Sequence, residues 1–167
     1  MKYIYPGALL AAFLIVGAAA LFLTPYASFF RSLTPVHVLF VIATAGVVLY
    51  ADEQGLMWVR GKSALLSQRR LAWLHLLTGL GLAGLIATGG VLFLGHSSPF
   101  LQNPFFYTKL VFVVALIVNG FLIERLARVA TLRTWASLSS RERLPLIISG
   151  GISLVSWIGA GVCGLLL

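Results

Sequence analysis

The chain has 167 residues, of which 60% are hydrophobic and 10% charged, and its mean hydropathy is +1.02. Water-soluble domains carry about 25% charged residues, and a chain this short has too little interior for so much apolar surface, so a soluble fold is excluded. The net charge of +8 comes from basic residues that lie between apolar stretches, which indicates lipid headgroups and not nucleic acid as the partner. The lone Cys163 excludes a secreted domain held by intrachain disulfides.

Five apolar stretches are long enough to cross the hydrocarbon core of a bilayer, which takes about 20 helical residues. The sequence therefore predicts an all-α polytopic membrane protein, a single domain over residues 1–167 with a bundle of five transmembrane helices. In chain order, the predicted spans cover residues 4–23, 36–57, 71–94, 105–123 and 144–166. The first stretch has a second interpretation as a signal peptide cleaved near Gly17–Ala20, but its apolar run is longer than a signal sequence needs.

Prolines and capping residues mark the ends of these stretches. Thr24-Pro25 closes the first span, because the residue before a proline disfavours the helical conformation. Thr34-Pro35 and Asn103-Pro104 each predict an N-cap followed by proline in the first helical position, opening the second and fourth spans. Ser139 and Glu142 have the spacing of a capping box just before the fifth span.

The basic residues are distributed unevenly between the two sides of the predicted bundle. Those that share one side are Lys2, Arg60, Lys62, Arg69, Arg70, Arg125, Arg128, Arg133, Arg141 and Arg143, while Arg31 and Lys109 lie on the other. The positive-inside rule places the basic side in the cytoplasm. We therefore expect a multi-pass protein of a bacterial-type inner (plasma) membrane, with its N-terminus inside and its C-terminus outside.

Two histidines are candidate ligands at the outer face. His37 lies in the first turn of the second span, and His96 follows the outer end of the third. Neutral imidazole binds metals, so this pair predicts a site for a metal ion or for a haem edge, with copper or haem b as the candidate cofactor. The competing interpretation is a pair of interfacial histidines hydrogen-bonded to headgroups, backbone or water. His75 enters the third span from the inner face, so it and His37 cannot clamp one haem.

A second group of polar residues is predicted near the inner face. It consists of His75, Asp52, Glu53, Asn119 and Glu124. Intramembrane ionisable groups are costly, so such a group is a candidate proton relay or metal site. The alternative is ordinary pairing of the acids with neighbouring arginines at the membrane boundary. Tryptophans near this interface, among them Trp58 and Trp73, are predicted to form an aromatic belt.

No nucleophile–base arrangement or hydrolase motif is present in the sequence, so an enzyme is less favoured than a binding or structural protein. Small residues recur on one face of the third span and again on the fifth, where they are Ser149, Ser153, Ser156, Ala160 and Cys163. Such stripes let helices approach closely in lipid and predict a packing surface within the bundle, with a homodimer interface as the alternative.

The second and third spans resemble the fourth and fifth, which suggests an internal duplication of one helical hairpin. His37 precedes Asp52 by 15 positions, and Lys109 precedes Glu124 by the same distance. Each second helix of the two pairs is rich in glycine. The competing explanation is that membrane hairpins in general have polar ends and small residues.

Two segments resemble the copper-resistance D (CopD-type) inner-membrane proteins and related small bacterial families. They are His37-Val38-Leu39 with Gly46 downstream, and Phe106–Leu110 running on to Asn119-Gly120. In those proteins a histidine of the outer leaflet opens a helix, and a later helix carries a lysine-leucine pair followed by an asparagine. The resemblance covers residues 35–125 and implies His37 as a metal contact. The family's Trp-x-Gly-Gly after the histidine is replaced by Ala43-Thr44-Ala45-Gly46.

These observations predict handling of a metal ion or haem at the outer face, in the manner of CopD-like proteins. Two alternatives stay open, namely a non-catalytic structural or assembly subunit of a larger membrane complex, and a small transporter that uses the inner polar group. The expected partners are the lipid bilayer and either another membrane protein or a second copy of the chain.

The charge asymmetry predicts the location of the C-terminus. Alkaline phosphatase fused to the C-terminus is expected to be active, because that enzyme folds only outside the cytoplasm, whereas green fluorescent protein fused there should stay dark. The activity of each fusion in intact cells checks the prediction. The reverse pattern would overturn the assignment of the spans.

Overall fold

In a computed structural model, which describes residues 4–22, 27–95 and 97–167, the regular secondary structure is entirely helical. The elements in chain order are α1 (Ile4–Phe22), α2 (Ala27–Val59), α3 (Gln68–Gly95), α4 (Ser97–Gln102), α5 (Pro104–Leu132), a 3₁₀ turn (Trp135–Ser137) and α6 (Ser140–Leu165). The predicted all-α class is confirmed for this part of the chain.

Four of these helices are long and apolar enough to cross a membrane: Leu33–Val59, Gln68–Leu94, Pro104–Leu132 and Ser140–Leu165. Most of their length is not buried inside the chain, and large apolar side chains such as Leu39 (65% exposed) and Val111 (67%) point outward. Water would penalise such surfaces and lipid would not. The fold is therefore that of a multi-pass membrane protein. The apolar stretch Pro6–Ala18 of α1 is shorter than these four.

The largest differences from the predicted helix bounds are at the start of α2 and the end of α5, and one short helix is additional. α2 begins at Ala27, so Pro35 lies inside the helix and not at its first position, which corrects the predicted start at residue 36. Membrane helices tolerate an interior proline because other groups satisfy the carbonyl that it leaves unpaired. α5 continues to Leu132 instead of ending at residue 123, because the segment with Glu124, Arg125 and Arg128 is helical although it is charged. The short helix α4 was not predicted.

Two predicted caps are confirmed. The Asn103 side chain accepts a hydrogen bond from the Phe105 backbone N–H at 2.9 Å, with Pro104 in the first helical turn of α5. At the start of α6, one carboxylate oxygen of Glu142 accepts hydrogen bonds from the backbone N–H and the hydroxyl of Ser139, both at 2.8 Å. The other carboxylate oxygen of Glu142 forms an ion pair with Arg133. These contacts satisfy groups that a helix N-terminus leaves open.

The chain divides into two compact units, of which the first comprises Met1–Val48 and Trp73–Gln102. Within it, several glycines of α3 face large or polar side chains of α2. A β-carbon at Gly84 would overlap the Phe40 ring, and one at Gly81 would overlap the side chain of Thr44. Thr44 is itself only 2% exposed. Helices α2 and α3 therefore approach each other closely, as small residues permit in lipid.

The second unit comprises Leu49–Ala72 and Asn103–Leu167 and contains the packed pair α5 and α6. Four of the five residues of the predicted α6 stripe are buried: Ser149, Ser153, Ser156 and Cys163. The stripe thus packs inside this unit, as predicted. On the same helix Gly159 faces the Phe112 ring, whereas a β-carbon at Gly161 would meet open space.

The prediction that Trp58 belongs to an aromatic belt is wrong, because the residue is buried. Its side chain is 3% exposed and packs in a cluster with Ala130 and Leu138. The indole N–H donates to the Arg133 carbonyl oxygen at 3.1 Å, and the ring meets Trp135 edge-on with centroids 5.2 Å apart. A buried indole needs a partner for its N–H, and the C-terminal end of α5 supplies one. Trp73, in contrast, is 53% exposed.

The contrast between two glycines of α6 tests this packing. Gly159→Leu is expected to lower the free energy of unfolding by about 1–3 kcal/mol, because the new side chain must displace the Phe112 ring. The control Gly161→Leu should be neutral or stabilising, since the space there is open and leucine favours a helix over glycine by up to about 1 kcal/mol. Unfolding in mixed detergent micelles measures both. Equal losses would contradict close packing at Gly159.

Candidate functional site

His37 is held by a hydrogen-bond relay within the first unit. Its ring nitrogen Nδ1 lies 2.7 Å from the Thr88 hydroxyl of α3, which in turn lies 2.7 Å from the Gly84 carbonyl oxygen. A carbonyl oxygen only accepts, so the hydroxyl hydrogen points to Gly84 and the hydroxyl accepts from His37 Nδ1–H. In the neutral imidazole this fixes the tautomer and places the lone pair on Nε2.

Gly89 lies against the edge of the same imidazole ring. A β-carbon there would come within 3.2 Å of His37 Cε1, which is closer than side chains ordinarily pack. The glycine thus lets α3 pass close to the half-buried ring while Thr88, one residue earlier, holds Nδ1. Two adjacent residues of α3 therefore set the position and the tautomer of His37.

The helix pair of the second unit repeats this arrangement with different chemistry. Phe112 of α5 faces Gly159 of α6, and Lys109 of α5 lies against Gly164, where a β-carbon would be 3.2 Å from Nζ. Lys109 precedes Phe112 by three positions, and Gly164 follows Gly159 by five. The same spacings relate His37 to Phe40 and Gly84 to Gly89 in the first unit.

Lys109 is therefore the counterpart of His37, and Cys163, just before Gly164, is the counterpart of Thr88. This is the register in which the sequence pairs His37 with Lys109 through their common distance to an acid. Repeated contacts in that register support the duplication hypothesis. Polar ends and small residues, which membrane hairpins commonly have, do not by themselves require equal spacings.

The predicted inner polar group is divided between the units, with His75 in the first and the other four residues in the second. Asp52 and Glu53 are exposed, and Glu124 is half-buried. Asn119, only 2% exposed, donates from Nδ2 to the Ser149 carbonyl oxygen at 2.9 Å and accepts from the Ser149 hydroxyl at 2.7 Å. Its side chain joins α5 to α6.

The set of possible metal ligands is small. Within residues 4–22, 27–95 and 97–167, no three His, Cys, Asp or Glu side chains come together in a way that could hold a metal ion. His96, the predicted second ligand, lies outside the described residues.

Sequence reasoning missed two side-chain partners. Thr88 was not recognised as the partner of His37, although its place beside Gly89 in a glycine-rich helix was a signal for close contact. Arg70 donates to the Gln54 side-chain oxygen at 2.9 Å, and Gln54 is 5% exposed. From the sequence, only the positive charge of Arg70 is interpretable.

The comparisons with protein-family models, curated proteins and solved structures gave no match.

The hydrogen bond between the side chains of Asn119 and Ser149 generates a prediction on stability. In a double-mutant cycle of Asn119→Ala and Ser149→Ala, we expect a coupling energy of about 1 kcal/mol, typical of polar contacts between membrane helices. Unfolding of the four proteins in detergent measures it. The control pairs Asn119→Ala with Ser156→Ala, whose residue lies seven positions beyond Ser149 on α6 and should show no coupling. Equal coupling in both cycles would refute the specific contact.

Proposed function

We infer that this protein binds a haem or a metal ion at the outer face of the membrane through His37. The observation that carries the proposal is the relay from His37 through Thr88 to Gly84. Histidines that ligate metals commonly donate their other ring N–H to a fixed acceptor, which sets the tautomer and the direction of the ligating nitrogen. Here Thr88 is that acceptor, and Nε2 is the ligating atom.

The small number of ligands favours haem over a bare ion. A tetrahedral zinc or copper site needs three or four protein ligands, and the described residues offer no such set. Haem iron already has four porphyrin nitrogens and needs one or two axial ligands from the protein. His37 would hold the haem, and His96 is the candidate for a second contact. When bound, the haem would supply a redox-active iron, while Thr88 would hold the imidazole in place.

The proposal includes the finer topology. We take α1 as a fifth span beside the four long helices, in an inner membrane with the N-terminus in the cytoplasm. The 19-residue apolar α1 and the ten basic residues on one side support this arrangement. The resemblance of residues 35–125 to CopD-type proteins adds the expectation of a metal or haem contact at His37.

A structural or assembly subunit is the second candidate. Its support is the wide apolar surface of α5 and α6, on which Val111, Val114, Val118 and Ile158 are more than half exposed. Lipid covers such a surface, but so would a partner helix from another membrane protein or from a second copy. The hypothesis of a transporter has less support, because Asn119, a member of the inner polar group, is used in packing α5 against α6.

An absorption spectrum and metal analysis of the purified protein test the proposal. We expect a Soret band in the wild type, its loss in His37→Ala and its retention in His75→Ala. Thr88→Val should weaken binding about tenfold or more, because the imidazole loses the acceptor that orients it. Thr78→Val, on the same helix, is the matched control and should bind normally.

Acidification should also release the cofactor, because protons compete for Nε2. Loss of binding in His75→Ala with retention in His37→Ala would move the site to the inner group. A wild type with neither haem nor stoichiometric metal would refute the proposal and favour the structural subunit.

A further inference from the structure

A cavity of about 260 Å³ lies in the second unit, where the chain leaves α2 and turns into α3. Its polar wall consists of Gln54 from α2, Ser63 and Ser67 from the connection, and Arg70 from the first turn of α3. One water occupies about 30 Å³ of liquid, so this space accepts a larger group. None of the described residues that line it is acidic.

The connection that forms the cavity is anchored at both ends. After α2, Gly61 adopts a left-handed conformation (φ +71°), and the Lys62 N–H donates back to the Met57 carbonyl at 2.9 Å. Further on, the Leu66 N–H donates to the Ala130 carbonyl of α5 at 2.9 Å, and the Leu66 side chain packs on the Trp58 cluster. The cavity is therefore preformed, and a ligand does not have to order the connection.

The donors around the cavity suit an anion. The Arg70 guanidinium has five N–H groups. One of them, on Nη1, donates to the side-chain oxygen of the buried Gln54 and orients the guanidinium. The Ser67 hydroxyl accepts from the Arg70 backbone N–H at 3.4 Å and keeps its own hydrogen for donation. Ser67 immediately precedes α3, whose N-terminus adds positive potential to that of the arginine.

We propose that this cavity binds a phosphate group, held by the Arg70 guanidinium and the Ser67 hydroxyl. Planar guanidinium donors match phosphate oxygens in a bidentate manner. The connection joins two helices that are each long enough to span a membrane, so the cavity lies where lipid phosphates are available. The phosphate belongs to an anionic phospholipid headgroup or to a free soluble phosphate.

The two sources are distinguished by three probes, added to the purified full-length protein in a neutral detergent. The probes are short-chain phosphatidylglycerol, inorganic phosphate and diacylglycerol, which lacks phosphate. Binding is read as retained ligand by mass spectrometry and as a rise in the unfolding temperature. Phosphatidylglycerol should bind and diacylglycerol should not. Inorganic phosphate binding as tightly as the lipid would support the site with a soluble ligand.

Neighbouring arginines provide a matched pair of variants. Arg70→Gln should weaken phosphatidylglycerol binding about tenfold or more, since it removes a charged bidentate donor. Arg69→Gln removes the same charge one residue away, outside the cavity lining, and should bind as the wild type does. Equal weakening in both variants would show attraction to general surface charge and overturn the proposal, as would binding of diacylglycerol equal to that of phosphatidylglycerol.

A second variant covers the case in which Arg70→Gln fails to fold, because that change also removes the bond to Gln54. The single change Ser67→Ala leaves the Arg70–Gln54 bond in place and should weaken binding several-fold. Unchanged affinity in that variant would contradict the site. His37→Ala should retain full phosphate binding, so failure of the haem proposal and failure of this one are separate results.

Discussion

Close approach between helix backbones is the constraint on which the rest of this structure depends. A bilayer offers no water to exclude, so helices associate through dispersion contacts that require short distances. Gly84 against Phe40 and Gly159 against Phe112 supply such distances, because a β-carbon at either glycine would overlap the ring. The short interhelical hydrogen bonds of His37 and Asn119 exist only because the helices already lie this close together.

Those two polar side chains use the close approach differently. Asn119 directs both its amide nitrogen and its amide oxygen to Ser149, so both polar atoms of its side chain are engaged within the helix pair. His37 lies on the other helix pair and contacts the Thr88 hydroxyl through Nδ1. Asn119 therefore serves the packing of two helices, whereas His37 is a candidate ligand. The repeated spacings place Lys109 at the position equivalent to His37. The second unit therefore has an amine at the position where the first unit has an imidazole.

The arginines of the connections make specific contacts with neighbouring groups. Arg133 donates to the Ser137 carbonyl at 2.6 Å and pairs with Glu142, which organises the turn between α5 and α6. Arg143 lies over the Trp135 ring at 5.2 Å, a cation–π contact in the same turn. Arg70 is directed by Gln54 into the wall of a cavity. Positive charge at this side of the chain thus has definite positions and definite partners.

The sequence by itself determined the features that depend on local chemistry. Hydropathy identified the four long helices, the Asn103 and Ser139 caps were readable from three or four adjacent residues, and the α6 stripe followed from helical spacing. The predicted start of α2 was wrong because a proline is favoured in the first helical turn but is also tolerated inside a membrane helix, where Pro35 lies.

The tertiary structure alone decided which residues meet. Thr88 as the partner of His37, Ser149 as the partner of Asn119, the burial of Trp58 and the cavity beside Arg70 each join positions that are 16 to 75 residues apart. Such contacts depend on the rotation of each helix about its axis and on its closest neighbour. Periodicity shows that a helix has a face of small residues, but it does not show which ring or hydroxyl lies opposite.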